Sequence, residues 1–292
     1  MTEISENQYY VPHKAKWPIV ACLGLFITVI GASLKFNNLD SEPGTPWLMY
    51  LGFAILIVMF FGWFGEVIKE SEAKLYNKQV DASFRDGMMW FIFSEVMFFA
   101  AFFGALFYVR TFAVPWLGGA GTNLSTNIEL WNGYEAVWPT NGPADMNGRF
   151  ETISAFSLPL VNTLLLLTSS ITITIAHHAL RDNDRKKTII WMIATVLLGA
   201  TFLFYQAEEY IEAYQHLNLT LKSGIYGATF FMLTGFHGMH VTLGTIMLIV
   251  ITIRLIKGHF SKDNHFGFEA VAWYWHFVDV VWLGLFIFVY VL

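Results

Sequence analysis

Long uninterrupted apolar runs dominate the pattern of hydrophobic and polar positions along this chain. A helix needs about 20 apolar residues, at a rise of about 1.5 Å each, to cross about 30 Å of hydrocarbon. Seven runs meet that length, and we predict membrane spans at Trp17–Phe36, Trp47–Val67, Asp86–Ala113, Ser154–Ala176, Ile189–Ile211, Tyr226–Ile256 and Ala270–Leu292. The pattern therefore predicts an all-α, polytopic membrane protein with seven transmembrane helices.

The polar segments outside the predicted spans differ in length and character. Residues 1–16 are polar and lack a secretory-signal pattern, so we expect a retained tail. Residues 69–84 are polar but helix-like, so the second and third helices are expected to extend beyond the membrane. The one long loop, residues 114–153, is rich in Gly, Asn, Pro and Trp without convincing periodicity, and we expect it to cap the outer face.

Composition agrees with this assignment and excludes one class of partner. Of the 292 residues, 55% are hydrophobic and only 13% are charged, whereas about one quarter are charged in a soluble domain. The formal net charge is −5, and the basic residues lie near the ends of the spans. The chain has no basic footprint for nucleic acid.

Lys and Arg residues are distributed unequally between the two sides of the membrane. With seven spans, the N-terminal tail and the second, fourth and sixth loops lie on one side, and the remaining loops and the C-terminus lie on the other. Thirteen of the 17 fall in the N-terminal tail and the second, fourth and sixth loops. The positive-inside rule therefore predicts a cytoplasmic N-terminus and an outer C-terminus.

The outer face is acidic and would attract a basic soluble partner, most strongly at low salt. A carboxylate cluster at the outer end of the fifth span is expected to be a solvated helix end: Glu208, Glu209 and Glu212.

Several ionisable residues lie inside the predicted spans, at depths where they need a protein interior or water. His276 and Asp279 are three residues apart and share one face of the last helix. Glu95 lies among phenylalanines, about 14 Å along its helix from Asp86. His240 lies at a comparable depth in the sixth span, among glycines that permit close helix packing. We predict that Glu95, His240, His276 and Asp279 form a buried polar layer.

Three interpretations of this layer stay open on the residues alone. It can be a hydrogen-bonded layer that stabilises the bundle, with Glu95 bonded to a neighbouring helix. Glu95 can instead belong to a proton route. A haem or metal centre would need several convergent ligands, and the sequence offers only a pair, His240 and His276. No phosphate-binding glycine loop, HExxH motif or nucleophile elbow is present, and we predict no catalytic residue and no metal ligand.

Charged residues at the inner ends of the spans predict contacts with lipid headgroups. Lys69 and Glu70 lie at the inner end of the second span, Arg85 precedes the third, and Arg254 lies near the end of the sixth. These four residues form the predicted lipid-binding set. The alternative is ordinary interfacial placement, in which long side chains keep their charged ends in water.

Several long motifs, in order along the chain, carry a resemblance to a known family. They are WFGEVIKES (63–71), FSEVMFFAAFF (93–103), TGFHGMHVTLG (234–244) and AWYWHFVDVVWL (272–283). Together these motifs resemble subunit III of the haem-copper cytochrome c oxidases. The resemblance covers most of the chain from the first span onward and is strongest in the last two spans. Only residues 1–15 of the tail and residues 114–150 of the long loop lie outside it.

The resemblance implies a seven-helix subunit that holds no haem or copper and docks beside the catalytic subunit. It also implies that the first two helices splay from a five-helix bundle, leaving a cleft filled with phospholipid. We therefore divide the chain into a cytoplasmic tail (1–16), a two-helix unit (17–67) and a five-helix bundle (68–292) with the outer loop 114–153. Glu95 matches the family's buried carboxylate and Lys69 one of its basic positions, but Gly65 stands where the family usually has Arg.

The resulting prediction is a non-metal accessory subunit of a respiratory cytochrome c oxidase, which reduces oxygen and pumps protons. The subunit is expected to stabilise the catalytic subunit, to support proton uptake and to bind lipid in a cleft that guides oxygen. Its expected partners are oxidase subunits I and II, phospholipid, and cytochrome c or a cytochrome-containing respiratory complex. Haem and copper are expected in the partner subunits, and the expected location is the bacterial inner membrane.

Two other function classes compete with this prediction. An independent membrane haem or metal oxidoreductase would show a Soret band in the isolated chain. A secondary transporter would show inverted-repeat halves and spans broken by Gly or Pro, and the sequence shows no such symmetry.

Overall fold

The computed structural model describes residues 10–12, 15–37 and 47–292, and every regular element in those ranges is helical. Two π-helical segments, Val109–Ala113 and Phe286–Val291, continue α3 and α9. The helices are α1 Trp17–Asn37, α2 Trp47–Glu72, α3 Lys78–Tyr108, α4 Val114–Leu117, α5 Leu124–Leu130, α6 Leu158–Arg181, α7 Arg185–Gln215, α8 Gly224–Lys257 and α9 Phe266–Leu285. The predicted tail, residues 1–16, falls mostly outside the described residues.

The all-α class and the seven spans are confirmed. Seven helical segments among the described residues are long and apolar enough to cross a membrane. The third segment begins at Lys78, ahead of the predicted span at Asp86, as expected from the helix-like polar stretch before the apolar run. The fourth begins at Leu158, later than predicted, where Pro159 occupies the first turn and its missing N–H costs nothing. The loop 114–153 contains two short helices, α4 and α5, that its composition did not predict.

The chain forms two compact units, which meet in sequence between Phe84 and Arg85. The division predicted from sequence, between residues 67 and 68, stays a prediction. The splay of the first two helices and the lipid-filled cleft also stay predictions.

Glycines set the packing of α1 against α2 in the first unit. Gly24, Gly31 and Gly52 are buried in a pair of helices whose other faces are largely exposed. A Cβ atom on Gly24 would lie 3.0 Å from the Leu56 side chain, and one on Gly31 would meet the backbone of Met49. The two helices therefore approach closely because small residues line the contact, as is common between helices in lipid.

The second unit is built around α9, which contributes two buried tryptophans to the same three neighbours. Trp275 is 1% exposed, and its indole N–H donates to Ser169 of α6 at 2.9 Å. Its ring fills the space left by Gly199 of α7 and Gly244 of α8, where Cβ atoms would lie 2.7 and 2.9 Å from ring carbons. One side chain thus contacts α6, α7 and α8.

Trp282 repeats this arrangement two turns further along α9. It is fully buried, and its indole N–H donates to Thr163 of α6 at 2.9 Å. Its ring meets Phe202 of α7 edge-on at 4.8 Å and lies 5.1 Å from the ring of His237 on α8. Because the two tryptophans are seven residues apart, they share one helical face, and that face fixes α9 against the other three helices.

We predict that Gly244→Ala destabilises the purified protein by about 1–3 kcal/mol, the usual cost of overpacking a tight core. The added methyl would lie 2.9 Å from the Trp275 ring, so the ring or the helix must move. Gly238→Ala is the matched control, since a Cβ there meets nothing within 4 Å on the same helix. Thermal unfolding midpoints of both variants measure the difference. Equal unfolding midpoints would show that the packing of the Trp275 ring does not require the space at Gly244.

Candidate functional site in the buried polar layer

Glu95 and His240 are in direct contact across α3 and α8. Glu95 Oε2 lies 2.9 Å from His240 Nε2, and the two side chains are 21% and 6% exposed. α8 supplies the histidine from a stretch with Gly235 and Gly238, and α3 supplies the carboxylate from a run of phenylalanines. Two members of the predicted layer therefore meet.

The second nitrogen of His240 determines the hydrogen bonding of this contact. Nδ1 lies 2.6 Å from the backbone oxygen of Phe236, and a carbonyl oxygen only accepts, so Nδ1 carries a hydrogen. His240 Nε2 then either accepts a hydrogen from the Glu95 carboxyl group or, when protonated, donates one to the carboxylate. In both arrangements one proton lies between Glu95 and His240.

Aromatic side chains surround the Glu95–His240 contact. The rings of Phe99 and Phe98 lie 5.0 and 5.9 Å from the His240 ring, and Tyr274 stacks on it at 6.4 Å. These rings exclude water from most of the histidine, and electrostatic interactions are stronger in such surroundings than in water.

His276 and Asp279 form a separate polar group with α6. The Ser170 hydroxyl donates to Asp279 Oδ2 at 2.7 Å and lies 3.1 Å from His276 Nδ1. Thr174 lies 3.5 Å from the other ring nitrogen, His276 Nε2. The spacing of three residues on α9 therefore places both ionisable groups against one serine.

The predicted layer is thus two groups of contacts, one joining α3 to α8 and the other joining α6 to α9. His240 and His276 have separate hydrogen-bond partners in these two groups. Sequence reasoning missed Ser170, which holds His276 and Asp279 together. The signal was the run TSSITIT at 168–174, five hydroxyl residues in an otherwise apolar span.

Two residues of the predicted lipid-binding set lie in the first unit. Lys69 is exposed, whereas Glu70 accepts hydrogen bonds from Tyr10 at 3.0 Å and Tyr76 at 2.7 Å. Burial, together with the hydrogen bond to Glu70, raises the pKa of Tyr76 well above its usual value. The Lys69 side chain is therefore exposed, and Glu70 is held by two tyrosine hydroxyls.

The other two residues of that set lie in the second unit. Arg85 forms an ion pair with Glu269 and lies over the ring of Phe266 at 5.4 Å. Arg254 lies over the ring of Phe260 at 4.4 Å. Both guanidinium groups are therefore held against the segment that leads into α9.

One carboxylate cluster differs from its sequence interpretation. Glu208 and Glu212 are exposed, as expected of a solvated helix end, but Glu209 is fully buried. Tyr290 donates a hydrogen bond to Glu209 from the end of the chain. The prediction was wrong for Glu209 because helical periodicity turns every third or fourth residue of α7 toward the core, whatever its charge.

The similarity of this chain to known proteins extends over nearly its whole length. A family model described as "Cytochrome c oxidase subunit III" matches residues 7–292. A protein named "Cytochrome c oxidase subunit 3" from Drosophila melanogaster is 40% identical over 291 residues, which cover 99% of this chain and 98% of the relative.

Relatives of the same name from distant organisms show similar coverage. The protein from Arabidopsis thaliana is 37% identical over 99% of this chain and 98% of its own. The protein from Oncorhynchus masou is 36% identical over 97% of each chain. The similarity includes the 1–16 tail in part and the 114–153 loop, which the motifs alone did not cover.

Proposed function

Because the chain belongs to the cytochrome c oxidase subunit III family and is an accessory subunit of cytochrome c oxidase, we propose that it acts there as a rigid helical support for the catalytic subunit. Its proposed partners are subunits I and II, which would carry the haem and copper. It is an integral membrane protein. We further propose the bacterial inner membrane as its location, with the N-terminus in the cytoplasm, from the distribution of Lys and Arg.

The observation that carries this proposal is the Glu95–His240 contact between α3 and α8. Apolar rings also join this part of α3 to α8: the ring of Phe98 meets that of Phe236 edge-on at 5.1 Å. Among these apolar contacts the Glu95–His240 hydrogen bond is directional. Together with the Arg85–Glu269 ion pair, it fixes the rotation and depth of α3, which apolar contacts alone specify weakly.

Support of proton uptake is a second candidate role of the same contact. One proton lies between Glu95 and His240, and Glu95 is still one-fifth exposed on the surface of α3. A carboxyl group that holds a shared proton and reaches the surface has the minimum features of a proton-relay group. The partner beyond Glu95 would be lipid, water or another subunit.

The two competing function classes gain no support from the comparisons. An independent haem or metal oxidoreductase and a secondary transporter would each need relatives of that kind, and the relatives described above share one name. The proposed lipid role rests instead on exposed Lys69, next to the hydrogen-bonded Glu70. A phospholipid bound by the subunit, and a lipid route that guides oxygen, belong to this part of the proposal.

For Glu95 we predict that Glu95→Gln leaves the oxidase assembled with near-normal turnover, since glutamine keeps a donor and an acceptor at nearly the same volume. Glu95→Ala should loosen the subunit, because a cavity and an unpaired His240 together cost about 2–5 kcal/mol. Subunit retention, oxygen consumption and proton pumping are measured in parallel.

Asp86→Asn is the control for the Glu95 variants, since Asp86 is an exposed carboxylate on the same helix. A Glu95→Gln enzyme that assembles normally but loses proton pumping would reject the structural role and establish the proton-relay role.

For Lys69 we predict that Lys69→Ala lowers the phospholipid retained per purified oxidase, because an exposed ammonium group is removed from a headgroup. Phosphorus per haem after mild detergent purification measures the effect. Lys35→Ala, an exposed lysine on α1, should leave the lipid content unchanged. An equal lipid content in the Lys69 variant and the wild type would reject the contact.

For the acidic outer face we predict that neutralising Glu129, Glu135 and Asp145 together slows the association of a basic electron donor several-fold at low ionic strength. The effect should vanish at high salt, where charges more than about 8 Å apart are screened. Stopped-flow reduction of the oxidase by cytochrome c measures the rate. A deficit that persists unchanged at high salt would have a cause other than long-range electrostatics.

A further inference from the structure

Three metal-ligating side chains converge at the start of α9, away from the Glu95–His240 contact. His177 lies near the end of α6, His265 caps α9, and Glu269 lies in the first turn of α9. The two histidine Nε2 atoms are 3.4 Å apart, and Glu269 Oε1 lies 3.5 Å from that of His177 and 3.3 Å from that of His265. The three atoms form a nearly equilateral triangle.

We propose that His177, His265 and Glu269 form a binding site for a divalent transition-metal ion, with Zn²⁺ as the best match. Tetrahedral zinc with ligand distances of about 2.0–2.1 Å requires its ligand atoms to be about 3.3–3.4 Å apart. The three distances between these ligand atoms fit that spacing. They are longer than the roughly 2.7–3.2 Å of a good N–H···O hydrogen bond, so direct hydrogen bonds account for them less well.

The surroundings of His265 orient its ring for metal binding. Its Nδ1 lies 3.1 Å from the backbone oxygen of Ser261, so this nitrogen donates its hydrogen to the carbonyl. Nε2 of the neutral ring then has a free lone pair directed at the triangle. Histidines that bind metals commonly have the other ring nitrogen hydrogen-bonded in this way. The ring of His177 packs against Phe268 at 5.4 Å, which limits its rotation.

The two carboxylate oxygens of Glu269 contact different partners. Its guanidinium forms an ion pair with Oε2, while Oε1 faces the two histidines. The carboxylate is therefore held in one orientation, with a single oxygen offered as a ligand. Two imidazoles and one carboxylate, with a fourth position open to water, make up a donor set common for zinc.

An ion can reach the site from water, and once bound it would connect two helices. The three side chains are 10–28% exposed, and residues 261–264 of the adjoining loop are exposed. A bound ion would join the end of α6 to the start of α9 and stabilise the loop between α8 and α9. Because the ion would bridge two helices, we assign it a structural role. This inference does not depend on the role of Glu95.

The test compares purified oxidase complexes equilibrated with chelator-buffered Zn²⁺, with zinc per haem measured by mass spectrometry. Wild type should bind one zinc more than His265→Gln, and the affinity of this zinc should fall at least about 100-fold in the variant, since even outer partners of zinc ligands contribute 10–100-fold. His265→Gln leaves the Arg85–Glu269 ion pair in place. His178→Gln is the matched control, because His178 is exposed beside His177 and outside the triangle. Equal zinc content in wild type and His265→Gln would overturn the proposal.

A second measurement needs no variant and covers a failure of His265→Gln to assemble. In the wild-type complex, Zn²⁺ should slow backbone hydrogen exchange several-fold at residues 259–266. Residues 143–149 in the long loop serve as the internal reference. No slowing at 259–266 would equally overturn the site.

Discussion

The second unit depends on the fit of one indole ring between glycines. Lipid supplies no hydrophobic force between helices, so contact area and hydrogen bonds must hold them. Trp275 provides both, since its ring fills the space at Gly199 and Gly244 while its N–H reaches Ser169. Trp282 adds a second contact of the same kind two turns away. Two points of attachment fix both the position and the rotation of α9, and the polar groups on α9 depend on that rotation.

The polar side chains meet because packing has already fixed the positions of their helices. With α9 fixed against α6, His276 and Asp279 face Ser170. With α8 fixed, His240 faces α3 and receives Glu95. The Ser170 contacts join α6 to α9 and the Glu95–His240 contact joins α3 to α8, so the two groups specify different helix rotations. This arrangement explains how a chain with so few charged residues can still define a single packing in an apolar solvent.

The sequence predicted the helices better than it predicted their contacts. Span length and apolar composition depend on the bilayer and can be counted along the chain, so all seven spans were found. The depth of Glu95 and His240 made their contact a reasonable expectation. Ser170 and the burial of Glu209 were missed, because they depend on which helices become neighbours. Likewise, the motif around Trp275 marked α9 as important, but its fit against Gly199 needed three-dimensional packing.

The place of α9 in the chain has a consequence for biogenesis. Ribosomes deliver α6, α7 and α8 to the membrane before α9, so the space at Gly199 and Gly244 is empty while synthesis continues. Until α9 arrives, Ser169 and Thr163 also lack their indole donors within the bilayer. The three earlier helices thus leave an open, partly polar groove that α9 closes. Insertion of α9, and not the insertion of any earlier helix, is therefore the step at which α6, α7 and α8 acquire this packing.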